Sequence, residues 1–137
     1  MPIPKVALVT GATRGAGKGI ALGLAAKGMT VYVTGRSGRT ATATLKGETL
    51  SGTLDETIAA INAAGGTGIG ITCDHGDDEQ TRQVFEQIGQ EQGRLDVLVN
   101  NAAYIDDSLI DPGGFWEKSL DLVRILDIGL RSAYVAS

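Results

Sequence analysis

The stretch from Lys5 to Gly28 constrains the fold more than any other part of the chain. Val6–Val9 is a run of four apolar residues, typical of a strand buried on both faces of a parallel sheet. A loop with glycines at Gly11, Gly15 and Gly17 follows, and then a helical pattern that stops at Gly28. Because glycine lacks a Cβ, the backbone N–H groups and the positive helix end can approach a phosphate closely. The order strand, glycine loop, helix therefore predicts a site for the pyrophosphate of a dinucleotide.

The spacing of the glycines is more specific than their presence. The common dinucleotide fingerprint is G-x-G-x-x-G, whereas Thr10–Gly17 reads T-G-A-T-R-G-A-G. A second motif, N-N-A-A at Asn100–Ala103, follows a later apolar run. Together the two motifs resemble those of the short-chain dehydrogenase/reductase family, over essentially all 137 residues. The family pattern at the second motif is N-N-A-G, so Ala103 is a departure that bears on how closely the backbone approaches a cofactor.

Plainer explanations of both motifs stay open. Gly15, Gly19 and Gly23 recur every four residues on one helix face, where they could permit close packing on the sheet. That role is compatible with cofactor binding. Asn100 and Asn101, taken alone, could form a polar turn after a strand.

Strand patterns alternate with helical patterns along the chain, which predicts an α/β fold with a doubly wound parallel sheet of the Rossmann type. The strands are expected at Val6–Val9, Thr30–Val33, Thr67–Cys73 and Arg94–Val99. With the order 3-2-1-4, the glycine loop and the Asn100 loop face each other at the switch point, where a dinucleotide binds. We therefore expect residues 1–137 to form one NAD(P)-binding domain.

Helices and one long loop are expected between and after these strands. The helical patterns cover Ile20–Gly28, Thr53–Ile61, Asp77–Gln92 and Ser119–Ser137, the second opening with a capping box. Ser37–Ser51 has no clear period and is expected to be a mobile loop beside the adenosine end. We expect His75 to be exposed, and Phe115 and Trp116 to pack against the start of a helix.

The residues after the second strand indicate which dinucleotide binds. An acidic residue there would accept hydrogen bonds from the adenosine ribose of NAD and would repel a 2′-phosphate. The sequence has Arg36 and Arg39 instead, and Arg14 lies in the glycine loop. Guanidinium groups could thus converge where the 2′-phosphate of NADP would lie, so we expect NADP(H) rather than NAD(H). The alternative is that all three are solvated surface arginines.

The resemblance implies which residues contact the cofactor. Those expected are Thr10, Gly11, Thr13, Arg14, Gly15, Ala16 and Gly17 in the glycine loop, Arg36 at the 2′-phosphate, Asp74 at the adenine, and Asn100 with Ala102 at the nicotinamide-side ribose. Asp74 could equally be a turn or helix cap.

The resemblance also implies hydride transfer between the nicotinamide and a carbonyl or alcohol. The family uses a tyrosine as acid/base, a lysine four residues later that lowers the tyrosine pKa, an upstream serine and an asparagine. Tyr32, Tyr104 and Tyr134 all lack a lysine at that spacing, and the asparagine position matches Gly129. No catalytic residue is therefore assigned, and the chain alone is expected to be inactive.

Composition limits the other possible functions. The formal net charge of −4 disfavours a general nucleic-acid surface, and no apolar run approaches the roughly 20 residues of a membrane span. The single cysteine, Cys73, excludes an internal disulfide, and with one histidine it argues against a metal site. We expect a cytoplasmic protein without metal that acts on a small carbonyl or alcohol. Family resemblance implies a homodimer or homotetramer.

The end of the sequence suggests that more chain belongs to the fold. Val97–Val99 reads as a strand buried on both faces, yet it would lie at a sheet edge if the fold ended at Ser137. The resemblance places a further strand and the catalytic pair beyond it. We therefore interpret the sequence as the cofactor-binding part of a longer reductase. The alternative is a non-catalytic dinucleotide-binding or interaction module that ends at Ser137.

Overall fold

A computed structural model of the chain describes residues 2–41 and 44–137. Its central element is a parallel sheet of four strands, β1 (Val6–Val9), β2 (Thr30–Gly35), β5 (Thr67–Thr72) and β6 (Val97–Val99). The helices that connect these strands are α1 (Gly15–Ala25), α2 (Leu54–Ala63) and α3 (Asp78–Gln92). A two-stranded hairpin, β3 (Thr44–Leu45) with β4 (Glu48–Thr49), lies between β2 and α2.

The sheet has the order β5-β2-β1-β6, which is the predicted order 3-2-1-4. Val9 lies beside Val33 on one side and Val99 on the other, so β1, β2 and β6 end at the same edge. The loops that follow β1 and β6 therefore leave the sheet next to each other. The prediction of a doubly wound α/β fold is confirmed.

Alternate residues of β1 and β2 supply two apolar layers, one on each face of the sheet. Ala7 and Val9 pack with α1 and α2, where Ala21 and Ile61 are fully buried. Val6, Leu8 and Tyr32 pack on the opposite face against Val84 and Ile88 of α3. Helices on both faces explain why β1 is apolar at all four positions.

The hairpin lies within the segment that the sequence analysis treated as a loop. Its turn residues Lys46 and Gly47 have φ values of 52° and 81°, as a two-residue hairpin turn of the I′ type requires. The expectation that Ser37–Ser51 is a loop throughout is therefore wrong for these strands. Two-residue strands show no measurable alternation, so the pattern could not reveal them. The parts of that segment at Thr42 and Ala43 lie outside the described residues.

The single helix predicted over Ser119–Ser137 is interrupted. A 3₁₀ turn (Leu120–Val123) and a short helix α4 (Arg124–Leu126) lead into a wide turn (Asp127–Arg131) before α5 (Ser132–Ala136). Gly129 has φ 154° and ψ −52°, a combination open essentially only to glycine. Its N–H donates to Ser132 Oγ at 3.0 Å, and the helix breaks at this glycine.

Two packing expectations are also wrong. Phe115 and Trp116 contact each other edge to face, with ring centroids 5.2 Å apart, but their side chains remain 85% and 76% exposed. The face formed by Gly15, Gly19 and Gly23 does not pack on the sheet, since no described atom beyond the helix lies within 4 Å of a Cβ at these positions. Their small size is therefore not explained by helix packing.

His75 is buried, with 6% of its surface exposed, so its predicted exposure is wrong. Its Nε2 lies 2.7 Å from Thr34 Oγ1 and its Nδ1 3.4 Å from Thr81 Oγ1. Thr34 Oγ1 also accepts the Gly11 N–H at 3.3 Å, which links the imidazole to the glycine loop. Burial lowers the pKa of His75, although the nearby Asp74 carboxylate opposes that shift.

We expect the free energy of unfolding to fall as the pH drops below about 6.5, the ordinary pKa of histidine. In that range the unfolded chain takes up a proton that buried His75 does not, so the stabilisation present above pH 6.5 is lost as the pH falls toward the folded-state pKa. Urea unfolding of wild type and His75→Gln between about pH 5 and pH 8 tests this. A pH dependence of equal steepness in both proteins would contradict it.

Candidate functional site

Thr10 joins the loop after β1 to the loop after β6. Its buried hydroxyl oxygen accepts the backbone N–H groups of Asn101 at 3.0 Å and Ala102 at 2.9 Å. The same hydroxyl donates to Val99 O at 3.4 Å. Thr10 therefore fixes the distance between the glycine loop and the N-N-A-A motif from behind both loops.

Asn101 makes the second connection between these loops. Its side-chain Nδ2 donates to Thr10 O at 3.0 Å and to Gly11 O at 2.9 Å. A Cβ on Gly17 would lie 2.4 Å from Asn101 Nδ2 and 2.5 Å from Gly11 O, so only glycine fits there. Sequence reasoning placed Asn100 in the site and left Asn101 out, because the motif alone does not show which amide turns inward.

The glycine loop is also held from the side of β2 and α2. Ala12 N donates to Thr34 O at 2.9 Å, and the buried Thr57 hydroxyl donates to Ala12 O at 2.9 Å. Gly15 and Ala16 begin α1 at an exposed surface, and the N-cap residue Arg14 makes no side-chain cap hydrogen bond. The first-turn N–H groups of α1 are thus not capped by Arg14 and can be reached from solvent.

A cavity of about 250 Å³ lies at the switch point, between the loops after β1, β2, β5 and β6. The predicted site residues that line it are Gly11, Thr13, Arg14, Arg36, Asp74 and Ala102. Thr10 and Gly17 lie behind this lining, in the contacts described above. Asn100 is not among the lining residues, and its Nδ2 donates to Ser137 Oγ at 3.0 Å.

Arg14 and Arg36 bring positive charge to this cavity. Both line it, and both also line an adjoining cavity of about 320 Å³. Arg14 is half-buried and its Nε donates to Ser51 O at 2.8 Å, which orients the guanidinium group. Arg39 is absent from both linings, and its side chain is 92% exposed with Asp55 at 3.7 Å. Only two of the three candidate arginines therefore converge.

Asp74 makes a turn after the end of β5 and also lines the cavity at the switch point. Its Oδ1 accepts the Gly76 N–H at 2.8 Å, and its own N–H donates to Gln80 Oε1 at 2.8 Å. The N-cap of α3 is Asp77, whose side chain accepts from Glu79 and Gln80. Burial raises the pKa of neighbouring Cys73 to about 11, so this thiol is protonated at neutral pH and is not a nucleophile.

Two other features are absent from the described residues. No cluster of three or more histidine, cysteine, aspartate or glutamate side chains in 2–41 and 44–137 could hold a metal ion. Within the same ranges, every helix is too short or too polar to cross a bilayer.

We expect Gly17→Ala to destabilise the chain by about 1 to 3 kcal/mol, because the added methyl overlaps the Asn101 amide and the Gly11 carbonyl. Gly19→Ala is the matched control in the same helix. Gly19 is exposed and no described atom beyond the helix crowds its Cβ position, so alanine should stabilise by up to about 1 kcal/mol. Urea unfolding measures both, and equal effects would refute the close approach at Gly17.

Comparison with known proteins agrees with this geometry. Dehydrogenase/reductase SDR family member 1 of the mouse, Mus musculus, is 38% identical over 137 residues, covering 97% of this chain and 40% of that protein. The 3-oxoacyl-(acyl-carrier-protein) reductase of Synechocystis is 33% identical over 133 residues, covering 97% and 47%. The chain thus spans less than half the length of these relatives.

A solved structure has the same fold. The short-chain type dehydrogenase/reductase of Mycobacterium marinum superposes with a TM-score of 0.77 at 27% identity, over 96% of this chain and 47% of that one. The family model described as short chain dehydrogenase matches residues 5–122. With its glycine loop, its N-N-A-A motif and its sheet order, this chain belongs to the short-chain dehydrogenase/reductase family.

Proposed function

We propose that residues 1–137 form the cofactor-binding domain of an oxidoreductase that prefers NADP(H) to NAD(H). The family binds a nicotinamide dinucleotide. The observation that supports the preference is the pair Arg14 and Arg36, which line one cavity beside the glycine loop. Guanidinium groups bind phosphate through charge-assisted hydrogen bonds, and β2 is followed by Arg36 rather than by a carboxylate.

Several of the expected cofactor-binding residues have proposed roles that fit their positions. The exposed first turn of α1, at Gly15 and Ala16, would hold the pyrophosphate through its N–H groups and positive dipole. Asp74 would contact the adenine. Ala102 donates its N–H to Thr10, so its contact with the nicotinamide-side ribose would use the carbonyl. Asn100 would have to turn from Ser137 to join it.

The proposed reaction is hydride transfer between the nicotinamide and a carbonyl or alcohol. When bound, the cofactor supplies the hydride, and these residues hold and orient it. The Synechocystis relative is by name a reductase of a 3-oxoacyl group, which supports a carbonyl substrate. The catalytic tyrosine and lysine of the family stay unassigned, because this sequence contains no Y-x-x-x-K.

We also propose an oligomeric state and a cellular location for the protein. Leu120, Leu126, Leu130 and Tyr134 are 91%, 54%, 68% and 85% exposed near the chain end, and such an apolar surface supports a homodimer or homotetramer. Cys73 is a free, buried thiol, which fits a reducing, cytoplasmic location.

We expect Arg36→Ala to weaken NADPH binding by about 1.5 to 3 kcal/mol, since the substitution removes a charge-assisted contact with the 2′-phosphate. NADH, which has a 2′-hydroxyl there, should lose little affinity. Fluorescence titration of both cofactors measures the two changes.

Arg39→Ala is the matched control, because Arg39 is a neighbouring arginine outside the cavity lining. Its affinity for NADPH should equal that of wild type. An equal loss for NADPH and NADH in Arg36→Ala, or an equal loss in Arg39→Ala, would refute the assignment of the phosphate to Arg36.

A further inference from the structure

The β3–β4 hairpin is joined to a loop more than 60 residues away in sequence. Lys46 N donates to Asp107 Oδ1 at 3.0 Å, and Lys46 Nζ forms an ion pair with Asp111 Oδ1 at 2.5 Å. We call these three residues the Lys46 latch. Lys46 thus contacts two different carboxylates of one loop, one with its N–H and one with its ammonium group.

The Lys46 latch spans one end of the candidate cofactor site. Thr44 and Leu45 of β3 line one wall of the cavity of about 320 Å³, and residues 103–107 line the opposite wall. Arg14 and Arg36 line the same cavity. The latch connects the two walls, so the hairpin bridges the cavity in which the two arginines meet.

The wall opposite the hairpin is firmly held. Asp106 accepts hydrogen bonds from the Ser108 N–H at 2.8 Å, the Ser108 hydroxyl at 2.6 Å and the Tyr104 hydroxyl at 3.0 Å. Tyr104 N donates to Ile128 O at 2.9 Å, which ties this loop to the turn before α5. The hairpin, in contrast, is a pair of two-residue strands. If one wall moves, it is therefore the hairpin.

The contacts of the Lys46 latch are weak enough to open. The Lys46 and Asp111 side chains are 46% and 52% exposed, and ion pairs at such positions are individually weak. Opening exposes chiefly the half-buried Leu45, because Thr44, Glu48 and Thr49 already lie at the surface. A ligand that fills the cavity can thus enter while the latch is open and be retained while it is closed.

We propose that the Lys46 latch closes the hairpin over the adenosine end of bound NADP(H) and slows its release. This inference rests on the proposed function, since the ligand it retains is the proposed cofactor. The latch acts on the dissociation rate rather than on recognition, which belongs to Arg14 and Arg36. Lys46, Asp107 and Asp111 are accordingly positioning residues.

The test is a chase experiment on the chain loaded with NADPH, in which excess NADP⁺ displaces NADPH and the fluorescence decay gives the dissociation rate. Lys46→Met removes the ammonium group and keeps most of the side-chain length. We expect it to raise the dissociation rate about three- to tenfold and to change the association rate less than about twofold. Lys27→Met, at an exposed lysine just beyond α1, is the control and should match wild type.

A second variant separates the latch from a simple charge effect. Asp107→Asn with Asp111→Asn breaks the ion pair but removes negative charge near an anionic ligand. The latch predicts faster release in this variant too, whereas attraction of the phosphates by Lys46 alone predicts unchanged or slower release. Unchanged release in both variants would overturn the latch while the proposed function stands. Absence of NADPH binding by wild type would overturn both.

Discussion

The contact between the loops after β1 and β6 is the constraint on which the candidate site depends. Asn101 and Ala102 donate four hydrogen bonds to Thr10 and Gly11 across these loops, at 2.9 to 3.0 Å. The bonds satisfy buried backbone groups that the sheet cannot pair, because both strands end there. Gly17 allows the helix to approach this junction, and Gly11, Asn101 and Ala102 of the two loops line the cavity. These hydrogen bonds lie behind the cavity and fix the positions of the two loops that line it.

This frame brings two arginines to the cavity. The chain has a net charge of −4, yet Arg14 and Arg36 meet in one cavity and Arg39 points away beside Asp55. Arg14 is held by the carbonyl of Ser51, just before α2, so the connection that carries the hairpin also orients a cavity arginine. The orientation of Arg14 and the position of the hairpin thus depend on the same segment.

Much of the fold followed from the sequence because it rests on local patterns. The β1 run, the Thr53 capping box and the amphipathic α3 each carry their signal within a few residues, and the structure has them where predicted. The strand order followed from the alternation of strands and helices. Arg14 and Arg36 could be assigned to one site because each follows a strand, and the two strands end at the same edge of the sheet.

The features that the sequence did not reveal depend on contacts between distant residues. His75 turns inward because the hydroxyl groups of Thr34 and Thr81 lie within hydrogen-bond distance of its two ring nitrogens. The pattern of apolar and polar residues around His75 does not indicate either contact. The helix breaks at Gly129 because this residue has a non-helical backbone conformation. The regular spacing of the apolar residues around it predicts an unbroken helix. The hairpin strands are too short to show a period, and the choice of Asn101 over Asn100 is made by Gly11 and Thr10 across the sheet.

The central claim is that the glycine loop and the two arginines form a pocket for an adenosine that carries a 2′-phosphate. Calorimetric titration with 2′,5′-ADP and with 5′-AMP tests it most directly, because these ligands differ at the 2′ position and lack the nicotinamide. We expect 2′,5′-ADP to bind at least about tenfold more tightly, in line with one or more charge-assisted contacts. Equal affinities for the two nucleotides would contradict the claim.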